Sequence, residues 1–412
     1  MLIEEFNKIQ ESAEGKNTHM EHVEEEILNR GKEGAEYAIK QMMMFADMLK
    51  GRSNKKLKIS VKWDGAPAII AGIDPESGKF FVGTKGVFNA TPLLGTSHDE
   101  IDRLYGKSGA LPKLHLAFEH LAKIGMTGVL QGDFLFDQGT LREETIDSQE
   151  MHTFKPQLIT YAVPVDSDVG KRIAKAKIGI VFHTRYVGET LATSKAEYGI
   201  EVTDLKRHPD VFFDDALFKD LTGSVLMTRD ETAQAKQDLA DAMAAYKAVP
   251  LVVWQAMEQN AEFVPAFKIW INTNIRQGKL AGDPGEFLNG FIDWYKQRIE
   301  AEIAKLKNQD PEKPAVKNRM QKINNNLNFI NSNRKGLSSI IVFMNEITNL
   351  KMLFIKKLNN IESIAHFYKT TDGYEAGSPE GYVAIDHLGG AVKIVDRLDF
   401  SRRNFTTPKD FS

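Results

Sequence analysis

LKISVKWDGAPAIIAGIDPESGKFFVGT, residues 57–84, is the stretch on which the fold turns. Lys58 and Ser60 alternate with Ile59 and Val61, a period of two that predicts a strand with one apolar face. Two further β-rich runs follow, and the Asp74-Pro75-Glu76-Ser77-Gly78 segment between them has the chemistry of a tight turn. We therefore expect successive antiparallel strands with a hairpin at Pro75–Gly78. At the end of the first strand stands Lys62, followed by Trp63, Asp64 and Gly65. A lysine held there presents its amine where the backbone can approach a ligand closely. An amine becomes a covalent nucleophile when burial or a neighbouring cation lowers its proton affinity. The same four residues also suit an ordinary surface hairpin.

Working outward, residues 1–50 read as helical, with a capping-box pattern at Thr18–Glu21 and Gly31 as a stop. A second helix is expected from about Glu33 to Leu49 on the stripe Ala35, Ile39, Met42, Met43, Ala46 and Leu49. His19 and His22 share one face of the first helix without a third ligand, which points to a solvated or capping role. Downstream, GVLQGDFLF, LITYAVP and IGIVFHTRY read as strands, and residues 112–124 as a helix packed on them. From about Asp230 to Asn360 the periodicity is helical, and EGYVAIDHLGGAVKIVDRLDF returns to strand. The expected architecture is α+β: a helical N-terminal segment at 1–50, an antiparallel core of 51–228 and 366–412, and a helical insertion at 229–365. Between Glu312 and Leu358 nine Lys and Arg stand against two Glu, the sharpest charge asymmetry in the chain.

The 412 residues carry a net charge of −3, so a polyanion would have to be met by a local patch rather than by the whole molecule. There is no cysteine, which excludes thiol catalysis, zinc–thiolate sites, Fe–S clusters and disulfides. The acidic opening MLIEEFNKIQE lacks the layout of a signal peptide, and no uninterrupted apolar run suggests a membrane span. A cytoplasmic location without membrane association is the expectation.

The order of the remaining pieces carries a resemblance. Ser60–Pro67 resembles motif I of the covalent nucleotidyltransferase superfamily, which comprises ATP-dependent DNA ligases, RNA ligases and mRNA-capping enzymes. Val82-Gly83-Thr84-Lys85-Gly86 stands where that family has a strand ending in S/T-R-x-G, with lysine replacing arginine. Leu130-Gln131-Gly132-Asp133-Phe134 resembles motif III, with Asp133 in place of glutamate, and Ile178–Phe182 resembles motif IIIa. Glu380-Gly381-Tyr382-Val383 resembles motif IV. Ala391–Val395 resembles motif V, but Lys393 is its single lysine; Arg397 stands nearby as a substitute. About 200 residues separate the third-a and fourth motifs, and 19 follow Lys393, too few for a C-terminal OB domain.

The resemblance implies a ligase core, ATP-grasp-like in layout and closest to RNA ligases, with Lys62 becoming linked to AMP. It implies nucleotide contacts from Asp64, Gly65, Lys85, Phe182, Lys393 and Arg397, and a magnesium site at Asp133 and Glu380. The residues agree with such chemistry, since nucleotidyl transfer needs an in-line nucleophile, cations for phosphate charge and carboxylates for a metal. Taken singly, Phe182 reads as core and Asp133 as a strand-end turn former. The expected function is ATP-dependent joining of 5′-phosphate to 3′-hydroxyl ends in RNA or nicked duplex. Two alternatives stand beside it: a nucleotidyltransferase that modifies another acceptor, and a catalytically reduced nucleic-acid-binding or virion-associated module.

Overall fold

The computed structural model describes residues 20–50, 57–217, 227–359, 365–370, 373–376 and 379–406. Thr18 and His19 lie outside them. The chain divides into two compact units. One holds residues 1–21, 63–217 and 364–377; the other holds 22–62, 218–363 and 378–412. The strands of the expected core 51–228 and 366–412 are thus distributed over both.

The second, helical unit begins with α1 (Glu26–Asn29) and α2 (Gly31–Leu49). Gly31 sits between them at φ +55°, the left-handed conformation that ends a helix at little cost to glycine. α6 (Arg229–Lys247) opens with a capping box of Thr228 and Glu231. α7 (Leu251–Gln259), α8 (Phe263–Arg276), α9 (Pro284–Ala304) and α10 (Pro314–Leu358) follow, the last two with proline in their first turn. Phe45 of α2 stacks on Phe354 of α10 with ring centroids 4.8 Å apart. Phe263, Phe267 and Phe291 form a second aromatic knot of edge-to-face and stacked pairs. Each such fully buried side chain contributes about 1.5–3 kcal/mol.

Against these helices lies a three-stranded antiparallel sheet in the order β1 (Leu57–Lys62), β13 (Gly381–Asp386), β14 (Ala391–Ile394). Ile59 pairs with Ala384, Val61 with Tyr382, and Tyr382 in turn with Ile394. Residues directly opposite share a face, so these five apolar positions and Val392 turn together into the helical core. α11 (Arg397–Thr406) ends the described chain. The expected run of neighbouring strands from residue 57 onward is corrected here: β1 pairs with β13 from the other end of the chain, not with the strand that follows it.

The sheet unit contains β2 (Ala68–Ile73), β3 (Phe80–Gly83), β4 (Val129–Asp137), β8 (Ile178–Val187), β9 (Lys195–Tyr198) and β10 (Val211–Asp215) in one sheet. The order is β10-β8-β4-β2-β3, with β9 also on β8. All its pairs are antiparallel except β8 with β10. The β2–β3 hairpin turns at Asp74, whose carboxylate accepts from Ser77 N at 3.1 Å, as the turn residues there require. A second, antiparallel sheet runs β12 (Gly373–Ala376), β11 (Ala365–Thr370), β7 (Thr160–Pro164), β6 (Gln149–Phe154), β5 (Arg142–Ile146). Helices α3 (His98–Tyr105), α4 (Leu111–Leu121) and α5 (Asp168–Lys175) complete the unit. Ile101, Leu114 and Leu121 pack with Ile69, Leu130 and Ile180 of the six-stranded sheet. The protein is α+β, with mainly antiparallel sheets and many helices.

Among the described helices, α10 has an 18-residue window long and apolar enough to cross a membrane, by length and composition alone. Half of that window is buried, and Ile340, Phe343, Ile347 and Phe354 of this helix pack in the helical core.

Candidate functional site

In the helical unit the structure brings together three residues named from the sequence. Lys62, the last residue of β1, stands opposite Gly381, the first of β13. That register places Glu380 beside the lysine, and Lys62 Nζ forms an ion pair with Glu380 Oε1. Gly381 has φ +151°, and a Cβ there would lie 2.6 Å from Val395 Cγ2 and 2.9 Å from the Ile394 carbonyl. Glycine is therefore required for the turn that aims Glu380 at Lys62. Lys393 of β14 stands opposite Val383, which is two residues from Gly381, so Lys62 and Lys393 share the sheet face that points away from the helical core. The Lys62 side chain is 30% exposed and that of Glu380 13%, enough to be reached by a solute. The Phe400 ring of α11 lies 5.9 Å from Lys62 Nζ.

The other motif residues, Arg397 apart, belong to the sheet unit. Asp64 is buried, and its Oδ2 accepts from Leu158 N at 2.6 Å and Ile159 N at 2.8 Å. Its own N–H donates to Tyr161 Oη at 2.7 Å. Asp64 therefore ties the motif I loop to the start of β7. Gly65 is explained by packing as well: a Cβ would collide with the Cβ of Asp133 on β4. Asp133 stands opposite Ala68 and Val181, with His183 Nε2 3.8 Å from its Oδ1. Lys85 is exposed in a short 3₁₀ turn, Lys85–Phe88, after β3.

Phe182 is fully buried with Ile69, Leu130 and Phe213, so it presents no ring face to a nucleobase. The base-platform expectation is corrected in favour of the core reading. Two residues near the motif I loop were not anticipated. Lys113 of α4 donates to the Ala66 carbonyl at 2.8 Å with its ammonium 5.4 Å from the Phe134 ring, and burial lowers its proton affinity, with Asp137 opposing. Gln157 donates to the Gly65 carbonyl at 3.1 Å. Neither carries a sequence signal, because only the fold brings residues 113 and 157 to the loop.

Arg397 lies in the helical unit. It is buried, with its guanidinium 2.7 Å from Glu25 Oε1, 3.6 Å from Glu24 Oε1, and donating to Asn272 Oδ1 at 2.6 Å. Those contacts place it in a buried charged cluster. Lys351 of α10 donates to Glu24 Oε1 at 2.7 Å in the same cluster, 1% exposed against 5% for its partner. Burial alone would raise the Glu24 carboxyl, but Lys351, His22 and Arg397 outweigh it and hold the group at about 2. His22, expected to be solvated or capping, has an enclosed Nδ1 without a hydrogen bond among the described residues. Burial keeps its pKa well below the usual histidine value; Glu24 opposes this, while Arg397, Lys351 and Lys393 add to it.

The charge asymmetry of α10 is smaller in space than along the chain. Arg319 pairs with Glu302, Lys322 with Glu262, Lys351 with Glu24 and Lys357 with Glu231. Lys313, Lys317, Lys335 and Lys356 are exposed.

The expected magnesium carboxylates, Asp133 and Glu380, fall in different units. Among the described residues no group of three or more His, Asp or Glu side chains is placed to hold a metal ion. Magnesium that arrives on a nucleotide needs only one or two protein carboxylates; Glu380 is the one beside Lys62.

Residues 17–409 match the model of DUF6267, a family of unknown function, and the chain belongs to that family. No curated protein and no solved structure matches it.

Proposed function

We propose that this protein is an ATP-dependent, ligase-like nucleotidyltransferase acting through a lysyl-AMP intermediate on Lys62. The observation that supports this reading is the shared sheet face: an accessible lysine, a carboxylate in contact with it and a second lysine, set by the register of three strands. In the proposed reaction Lys62 Nζ attacks the α-phosphorus of ATP. A P–N bond forms, the P–O bond to the β-phosphate breaks, and pyrophosphate leaves. Glu380 is within reach of the proton that the ammonium must lose. Lys393 offers positive charge on the same face for the phosphates. Magnesium bound with the nucleotide would supply further charge neutralisation. In the polynucleotide reading, AMP then passes to a 5′-phosphate, and a 3′-hydroxyl displaces it, joining RNA or nicked duplex.

Incubation with α-labelled ATP and magnesium tests the first step. A label that survives denaturing electrophoresis and is lost in Lys62→Ala supports the proposal, and absence of any such label in the native chain sinks it. Glu380→Ala is expected to reduce transfer by about 10²-fold, the scale for removing an electrostatic partner of a transition state.

A second reading, a nucleic-acid-binding module without turnover, is favoured by two placements. Phe182 is buried in the core, and Arg397, the substitute for the missing motif V lysine, is consumed by Glu24 and Glu25. Salt-dependent polynucleotide binding by an unlabelled protein would be its signature.

A further inference from the structure

Among the described strands β10 is the outermost of its sheet, bonded to β8 on one side. The Asp210 carbonyl accepts from Ile178 N, and Ala216 N donates to the Phe182 carbonyl, so the even-numbered residues face β8. Backbone groups alternate sides along a strand, and the Phe213 carbonyl therefore faces the open edge. Two arginines meet there. Arg172 of α5 donates to that carbonyl from Nη2 at 3.0 Å, and Arg207, just before β10, donates from Nη1 at 2.6 Å. The Arg172 guanidinium lies 5.0 Å from the centre of the Phe212 ring, and that of Arg207 lies 4.5 Å from the centre of the Phe213 ring. Phe212 and Phe213 are successive residues in separate core clusters on opposite faces of the sheet, so the two guanidiniums close on the edge from both sides.

One carbonyl does not require two cations. A guanidinium carries five N–H groups, and among the described residues each of these two has the Phe213 carbonyl as its one hydrogen-bond acceptor. Neither has a carboxylate within 4 Å among those residues. Their like charge is felt: burial and then Arg207 lower the proton affinity of Arg172, with Asp214 opposing. Two cations against that one carboxylate leave positive charge in excess, and an anion brought to the pair relieves the repulsion. Neighbouring carboxylates are engaged elsewhere, since Asp210 is held by Lys123 at 2.7 Å and buried Asp215 accepts from Leu217 N. On α5 and beside Arg207, exposed Lys171, Lys175 and Lys206 outnumber exposed Asp168. Arg207 is exposed and Arg172 half-buried, so the pair is reached from solvent.

The approach from two sides selects the anion. A carboxylate taken bidentately by one guanidinium spends both oxygens in one plane. The terminal oxygens of a phosphate ester point in different directions and can meet two forks at once. We propose that Arg172 and Arg207 form a binding site for a terminal phosphate group, carried by a small molecule or by the end of a polynucleotide. Each guanidinium keeps the Phe213 carbonyl as its anchor and gives other N–H groups to the phosphate oxygens. The site belongs to the sheet unit and does not rest on the chemistry proposed for Lys62.

The test is calorimetric titration of the full chain with inorganic phosphate, in the absence of ATP and magnesium. Saturable binding is expected, and acetate should bind about tenfold or more weaker, the loss expected when a hydrogen bond to a charged group is missing. Arg172→Lys combined with Arg207→Lys keeps both charges but removes both forks. It should weaken phosphate binding about tenfold or more while circular dichroism stays native. If that variant does not fold, Arg207→Gln alone, at the exposed member of the pair, serves the same purpose. A 5′-phosphorylated oligonucleotide is titrated beside the same strand ending in a 5′-hydroxyl. Tighter binding of the first assigns the phosphate to a strand end, and equal binding of the two assigns it to a small molecule. No saturable binding of inorganic phosphate overturns the proposal. Equal binding of acetate overturns the phosphate chemistry, and undiminished phosphate binding in the folded variant overturns the location.

Discussion

Two lysine–glutamate pairs in the helical unit join chain segments that are remote in sequence, and they are built for opposite purposes. Lys351 and Glu24 are almost wholly enclosed, 1% and 5% exposed, with Arg397 and Glu25 completing a neutral cluster. Lys62 and Glu380 lie at the ends of two strands, 30% and 13% exposed, on the sheet face that carries Lys393. In a low-dielectric interior a paired charge cannot leave its partner without a large penalty, so the first pair is locked. Near solvent, water replaces a lost partner cheaply, so the second pair can exchange its contact for a ligand. A lysine available for chemistry needs the second environment, and a lysine that fixes a helix against the N-terminal segment needs the first.

The largest expected effect is on the locked pair. Lys351→Ala leaves Glu24 charged and buried, and urea denaturation should show a loss of about 3–5 kcal/mol. Asp64→Ala comes next. It strips the acceptor from two backbone N–H groups at the start of β7, and the same measurement should show a loss of about 2 kcal/mol or more. The third prediction concerns pH. His22 has a lowered pKa in the folded chain, so below about 6.5 the unfolded chain takes up a proton that the folded one refuses. Stability should therefore be intact above that pH and fall as pH drops towards 5, by at most about 1.4 kcal/mol per pH unit from this group. His22→Asn should flatten that part of the profile. The smallest effect belongs to Lys62→Ala, which should change stability by about 1 kcal/mol or less, although it removes the proposed nucleophile. If Lys62→Ala proved as destabilising as Lys351→Ala, the contrast between the two pairs would collapse.

These pairs also mark what sequence reading can reach. The strands around Ile59, Ile70, Phe81 and Ile180 were legible because apolar periodicity is local. The partner of β1 was not, since Leu57–Lys62 meets Gly381–Asp386 from the far end of the chain. β5 was missed because REETI is mostly exposed and lacks apolar alternation. Motif order singled out Lys62 and Glu380 but not their contact, whereas Lys113 and Gln157 reach the motif I loop only through tertiary folding. Lys351 did leave a trace. It falls in the stripe Ile340, Met344, Ile347, Lys351, Phe354, Leu358, where a charge interrupts otherwise buried helical positions. Counting α10 as a basic face passed over that spacing and the carboxylates that α6, α9 and the Glu262 region bring to it.

The central claim is that Lys62 is the covalent nucleophile, and peptide mass spectrometry tests it most directly. After incubation with ATP and magnesium, the proteolytic fragment containing Lys62 should gain the mass of one adenylyl group. The Lys62→Arg protein, which keeps the charge but carries a guanidinium that stays protonated, should show no such gain. An adenylyl group mapped to another residue, or retained by Lys62→Arg, would contradict the account.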